Sequence, residues 1–492
     1  MQPKTIIDLL EIAAKKWPDD VLYENEVGHI TFSQTLALAK KVGTQIAAAS
    51  PANKPILVIS DKSIRTPTYY LGVLYAGCFY VPIANDTPVF RAKIILEIVE
   101  AQTVLVDEKN EAFLAQLDFK GKVVRVSECN AADETFLETR RVQMCETDPQ
   151  HIIFTSGSTG KPKGVVSSKR AIFDYVTNFA DTFGFNRKTV FGSQAPFEYD
   201  AAVRDMFLPI CSGGKTAIIP KLLFSKPVDL FNYLNSKKVN TICWVASAFT
   251  LIYEVDAFKQ IRLPYIKKLF FIGSVMPTKV YYYLRDNMPK TMFVNHYGPT
   301  EATASSMYYT LNRYENYDIG IPIGKPFSNR QVFLADGEMY ISSACIGNGY
   351  YKNREKTEEV YVQNPIHNDY TDIVVKTGDL GTIREDGNFM FHGRKDNMVK
   401  HMGHRVELGE IEMVSLSCDG VSECCCLYDD AKNMICLFYS GSATAKEVTL
   451  DLRGKLPSYM VPRKLVPFDK LPRLFNGKVD IQALRKSLTE KG

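Results

Sequence analysis

The sequence predicts an α/β protein with largely parallel sheets, then a small antiparallel β unit, then a separate mixed segment. Three observations carry this. Short apolar runs alternate with helical patterns through most of the chain, and such alternation builds parallel sheets covered by helices. From about Gln331 the texture changes to short strands broken by Asp-Gly pairs, as in antiparallel hairpins. After Gly393 a last segment keeps a pattern of its own.

The elements follow in order. Ile6, Leu9, Leu10, Ala13 and Trp17 stand at helical spacing. Asp8 and Glu11 interrupt that apolar run, so no signal peptide is expected. Buried strands are expected at Ile56–Ser60, Thr103–Val106, Lys122–Val126, Ile152–Phe154, Thr216–Ile219, Thr241–Val245 and Lys268–Ile272. Helical stretches include Pro227–Lys237 and Pro277–Asp286. The β unit reads as Gln331–Leu334, Glu338–Ile341, Gly381–Arg384 and Phe389–His392, with turns at Asp336-Gly337 and Asp386-Gly387. No internal repeat interrupts the pattern.

Composition narrows the function. The 492 residues imply about three units. With 46% hydrophobic and 23% charged residues the chain is globular, not disordered. A net charge of +4 is too balanced for a chain that grips nucleic acid. The uncharged run Leu71–Ala84 spans 14 residues, too few for a bilayer that needs about 20. No membrane role is expected, and the reading is a cytoplasmic protein. The 11 cysteines match no zinc-ligand spacing, and Cys424, Cys425 and Cys426 in one strand would face alternate sides. They read as buried or half-buried free thiols.

The sharpest motif follows the strand His151–Phe154. Thr155, Ser156, Gly157, Ser158, Thr159, Gly160, Lys161, Pro162, Lys163 and Gly164 put glycines, hydroxyls and two lysines in ten residues. Glycines let backbone N–H groups turn toward an anion, and the lysines add charge. This reads as a phosphate loop. It is neither a Walker A loop, because Pro162 follows Lys161, nor a dinucleotide fingerprint.

This loop resembles the signature of the adenylate-forming (ANL) superfamily, which holds acyl-CoA synthetases, luciferases and nonribosomal peptide synthetase adenylation domains. Further motifs resemble that family's in order: Tyr70 to Pro82, Asn295 to Glu301, Lys376 to Leu380, Gly393 to Glu412, Leu456 to Pro462 and Asn476 to Asp480. The resemblance implies a large N-terminal core, 1–395, of two α/β subdomains plus the β unit. A small mobile α+β lid, 396–492, would follow, hinged at Asp396. It implies that a carboxylate and ATP give an acyl-adenylate and pyrophosphate, and that the acyl group then passes to a thiol.

By that resemblance Lys478 is the catalytic cation, Glu301 holds Mg²⁺ and Thr300 touches the α-phosphate. Asn295, Tyr297 and Gly273 frame the adenine. Asp379 accepts from the ribose hydroxyls, with Arg394 supporting ribose or phosphates. Asp200 aligns with the aspartate that amino-acid-activating members pair with a substrate ammonium. The side-chain pocket would be Ala201, Arg204, Cys243, Phe270, Ile272, His296, Ala304 and Ser305. Arg204 stands four residues after Asp200, so both are expected on one helix face. It either meets an acidic or polar substrate side chain, together with His296, or pairs with Asp200 or another acid.

Two departures from the family pattern stand out. Ala202 replaces a hydroxylic residue, which touches packing only. His401 and His404 read as surface variation, while Gly403 keeps the small residue where a carrier's thiol arm would pass. The chain ends 14 residues after Lys478, so a free-standing enzyme with a separate phosphopantetheinylated carrier protein is expected. By size and layout it resembles D-alanine–carrier protein ligases. The alternatives are an acyl- or aryl-CoA synthetase and a non-catalytic binding module.

Overall fold

The computed structural model describes residues 2–156, 161–395, 398–473 and 479–490. The chain forms two compact units. The first comprises Met1–Asn85, Ile98–Phe154 and Gly164–Lys395. The second gathers Asp396–Gly492 with two earlier segments, Asp86–Glu97 and Thr155–Lys163, both of which precede the boundary expected at 395.

The first unit holds three sheets. A nine-stranded sheet runs Lys325–Pro326, Met307–Thr310, Met292–Tyr297, Lys268–Ile272, Thr241–Val245, Val190–Ser193, Lys215–Ile218, Val21–Glu24 and His29–Thr31. Its middle is parallel, and antiparallel strands close both ends. A six-stranded sheet runs Lys122–Arg125, Thr103–Val106, Pro55–Ser60, Phe79–Ala84, Pro149–Thr155 and Lys163–Ser168. Its strand Pro55–Ser60 is buried throughout, as a parallel strand covered on both faces must be.

The third sheet is the β unit. Arg330–Ala335 and Glu338–Ser343 pair antiparallel around Asp336-Gly337, where φ is 50° and 75°. Positive φ at both central residues matches the right-handed twist of a hairpin, which is why Asp-Gly suits this turn. The next strand is longer than its sequence suggests. It spans Ile373–Ile383, not Gly381–Arg384, and so carries Asp379 on the sheet itself. Gly378, at φ 74°, breaks the alternation that would have revealed it. The N-terminal hairpin Val21–Thr31 is a further addition; its strands, Val21–Glu24 and His29–Thr31, are too short to stand out as strand runs.

Glycines set the closest helix contact. Helices Phe32–Ala49 and Thr66–Tyr75 cross at Gly43 and Gly72, where a Cβ on Gly72 would come 2.6 Å from Val42 Cγ1. The run Leu71–Ala84 divides between helix Thr66–Tyr75 and strand Phe79–Ala84. Among the described residues no helix is long and apolar enough to cross a membrane.

The second unit has an antiparallel pair, Met398–His401 with His404–Glu407, and a three-stranded sheet, Val421–Asp429, Met434–Gly441 and Lys464–Phe468. Helices Leu408–Leu416, Ala445–Lys455 and Ile481–Glu490 accompany it. Arg91 anchors the segment Asp86–Glu97 by a nearly buried ion pair to Glu410 at 2.5 Å. Cys425 packs in one core and Cys426 in the other, so the three-cysteine run does alternate faces. Cys145 is exposed, unlike the buried or half-buried thiols expected. His401 is buried beside the Tyr428 hydroxyl, and His404 stacks on Tyr459, so neither is surface variation.

Two outcomes follow from the packing. Gly72→Ala should destabilise the fold by about 1–3 kcal/mol in urea denaturation, because the backbone at Ala39 and the Val42 side chain cannot both retreat. The pH limb comes from His151, buried beside Tyr80, whose ring burial pushes down to about 3 from 6.5. Between those values the unfolded chain holds the extra proton, so stability falls as pH drops from 6.5 toward 3. His151→Gln should flatten that limb by up to about 1.4 kcal/mol per pH unit, read from urea midpoints at pH 7 and pH 4.

Candidate active site

Strand register builds the substrate side of the site. Cys243 pairs with Phe270, and Phe270 pairs with Val294, so these side chains share one face with Ile272 and His296. Helices Lys169–Phe183 and Ala202–Ser212 cover that face through Tyr175, Phe179 and Phe207. Phe270 is fully buried against Phe179 and Phe183, with ring centroids 5.8 and 4.8 Å away. His296 stacks against Phe179 and Phe327. Burial, then the charges of Arg204 and Arg330, holds its ring well below the ordinary histidine value. Burial likewise raises the Cys243 thiol to about 11.

Asp200 and Arg204 do not share a helix face. The helix begins at Ala202, and Asp200 lies in the turn before it, with Ala201 as cap. Among the described residues Arg204 makes no ion pair with Asp200; its Nη1 donates to the hydroxyls of Tyr175 and Ser305, each at 3.4 Å. Asp200 instead accepts from Thr300, and burial raises its carboxyl above the usual aspartate range despite that bond and the Arg204 charge.

The loop after strand Met292–Tyr297 brings the remaining pocket residues in. Thr303 and Ala304 both take left-handed backbone, φ 54° and 61°. A β-branched residue there is strained, and such strain gathers at functional sites. The loop folds back so that Ser306 N–H reaches Tyr297 O at 2.7 Å. Gly298 permits this: a Cβ there would meet Ala304 O at 2.6 Å.

On the opposite side of that strand, Asp379 is buried in a network. The Tyr297 hydroxyl donates to its Oδ2 at 2.5 Å, and Arg394 pairs with its Oδ1. Arg394 also donates to Thr377 O at 3.0 Å. Asn295 Nδ2 donates to Pro322 O at 2.8 Å, and Gly273 sits at φ 91° just beyond strand Lys268–Ile272. Glu301 is buried and accepts from Tyr350, a partner that sequence reasoning missed. One buried carboxylate is a donor set that suits Mg²⁺, which takes its other ligands from phosphates and water.

The phosphate loop belongs to the second unit. The Ser156 hydroxyl donates to Arg405 O at 2.7 Å and accepts from Glu407 N–H at 3.1 Å. Lys163 is buried and ion-paired to Glu407 at 3.2 Å, while Lys161 is exposed. The Thr155 hydroxyl is buried and has no hydrogen-bond partner among the described residues. Gly164, in the first unit, has no room for a Cβ beside Ile152. Gly157, Ser158, Thr159, Gly160, Asp396 and Lys478 lie outside the described residues.

The chain belongs to the AMP-binding enzyme family, whose pattern matches residues 10–351. These are adenylate-forming ligases that use ATP. The chain is 28% identical over 98% of its length to tyrocidine synthase 1 of Brevibacillus parabrevis, of which it covers 45%. It spans between 14% and 19% of the length of the first three curated relatives it matches. Its fold matches holo-PA1221, a nonribosomal peptide synthetase protein with adenylation and PCP domains, at TM-score 0.82 and 21% identity, covering 98% of this chain and 84% of that one. It also matches o-succinylbenzoate CoA synthetase from Bacillus subtilis at TM-score 0.83 and 20% identity, over 99% and 98% of the two chains.

The Asp379 network yields a stability test. Arg394→Met leaves a buried carboxylate without its cation and should cost about 3–5 kcal/mol in denaturant unfolding. Tyr297→Phe removes only one donor and should cost about 1–3 kcal/mol.

Proposed function

We propose that the chain activates an amino acid as its aminoacyl-adenylate, releasing pyrophosphate, and passes it to the phosphopantetheine thiol of a carrier protein. Asp200 carries this reading. It is a carboxylate at the pocket, held by a hydroxyl, with no cation ion-paired to it among the described residues. A substrate ammonium would supply that cation. The similarity to peptide synthetases, and to an adenylation protein joined to a carrier domain, supports the same reading.

Each remaining group has one task. Asn295, Tyr297 and Gly273 frame the adenine, and Asp379 takes the ribose hydroxyls with Arg394 fixing the carboxylate. Glu301 holds Mg²⁺, which neutralises phosphate charge when bound. Thr300 hydrogen-bonds Asp200, and its task is to touch the α-phosphate. The phosphate loop and Lys478 add positive charge where the pentavalent phosphorus gathers negative charge. The unit 396–492 acts as a lid turning at Asp396 between adenylation and thiolation.

Pyrophosphate exchange with Mg²⁺-ATP tests the division of labour. Lys478→Ala should lower exchange by a factor of at least about 100 with ATP affinity kept, as expected for a group that acts in the transition state. Asp379→Ala should weaken ATP itself. Equal loss of ATP affinity in both would contradict the assignment. Exchange with amine-free acids alone would favour a CoA synthetase.

A further inference from the structure

Two arginines are buried around Tyr175, on the side where the substrate side chain is expected. Arg204 is 1% exposed and Arg330 is 6% exposed. Among the described residues neither makes an ion pair with a carboxylate. Arg204 meets only long hydroxyl contacts to Tyr175 and Ser305. Arg330 lies over the rings of Tyr175 and Phe327, 5.5 and 5.4 Å from their centroids. Tyr175 thus touches one guanidinium with its hydroxyl and the other with its face.

The polar atoms in this pocket are unsatisfied. Among the described residues, Arg204 Nε, Arg330 Nε and Nη2, and both ring nitrogens of His296 have no hydrogen-bond partner. His296 is 3% exposed and feels the charge of both arginines. Asp205, next on the helix, lies near enough to feel the Arg204 and Lys62 charges, but its hydrogen bonds go to Ser193 and the Gln194 backbone. A buried guanidinium without an ion-paired carboxylate is costly, and so is a buried donor without an acceptor. Folds keep such groups where a ligand completes them.

We propose that this pocket selects an amino acid whose side chain ends in a carboxylate, with Arg204 and Arg330 as its counter-charges and His296 as a hydrogen-bond partner. The inference rests on the amino-acid reading of Asp200. Charges then separate along the substrate. The ammonium meets Asp200, the reacting carboxylate faces Thr300, and the side-chain carboxylate meets the arginines. The planar fork of a guanidinium matches a carboxylate with two parallel hydrogen bonds. The amide analogues would place an NH₂ group against donors and be rejected.

Pyrophosphate exchange by the full chain decides the matter. The substrates are aspartate and glutamate in both chiralities, asparagine, glutamine, neutral aliphatic and aromatic amino acids, succinate and glutarate. The expected result is exchange with an acidic amino acid at kcat/KM at least about 100-fold above its amide. Arg204→Met and Arg330→Met should each lower that value by a factor of at least about 100 and narrow the preference over the amide. Arg204→Lys should keep part of it. A retained rise in Tm with Mg²⁺-ATP shows that each variant is folded. If Arg204→Met does not fold, Arg330→Met and Arg204→Lys carry the comparison. Preference for a neutral amino acid would overturn this inference and leave amino-acid activation standing. An acidic preference unmoved by the variants would overturn the roles of the arginines. Exchange with succinate or glutarate alone, or with nothing, would overturn the amino-acid reading and this inference together.

Discussion

One strand divides the chemistry of the first unit. His296 and Tyr297 are neighbours on Met292–Tyr297, and successive strand residues face opposite sides. His296 therefore points among Phe179, Phe270 and Phe327, beside the two arginines. Tyr297 points into the core of the β unit and bonds Asp379. Parallel pairing to Lys268–Ile272 fixes the phase, since a slip of one residue would exchange the two faces. Under the proposed function, substrate recognition and nucleotide recognition are in this way one peptide bond apart.

Charge is handled differently on the two faces. On the Tyr297 side, Asp379 and Glu301 are buried but already engaged by Tyr297, Arg394 and Tyr350. Contacts of this kind hold carboxylates in place beforehand, which lowers the ordering cost of any binding. On the His296 side, Arg204, Arg330 and His296 are buried with atoms unmet among the described residues. The first arrangement favours a rigid platform; the second stores a demand for a particular partner.

Much of this was legible in the sequence. Strands such as Thr103–Val106, Thr241–Val245 and Lys268–Ile272 fall where their apolar runs place them, because buried parallel strands leave little choice of residue. The family's motifs name Asp200, Glu301 and Asp379. What escaped was tertiary. Asp200 and Arg204 fit helical spacing, yet the helix starts between them, and only the fold decides that. Arg330 follows Asn329 at the edge of a hairpin, where nothing distinguishes a buried guanidinium from a solvated one. Its partners Tyr175 and Phe327 come from distant segments.

Trp17 offers a last consequence. Its ring lies so close over Gly213, a left-handed helix end at φ 72°, that a Cβ there would stand 2.6 Å from it. The second tryptophan, Trp244, is buried between Phe224 and Phe249 and donates to Gly192 O at 2.8 Å. The chain has no others, and both belong to the first unit. The protein therefore carries a built-in optical asymmetry. Indole emission reports on the large unit alone, and its unfolding can be followed with no indole signal from the small one.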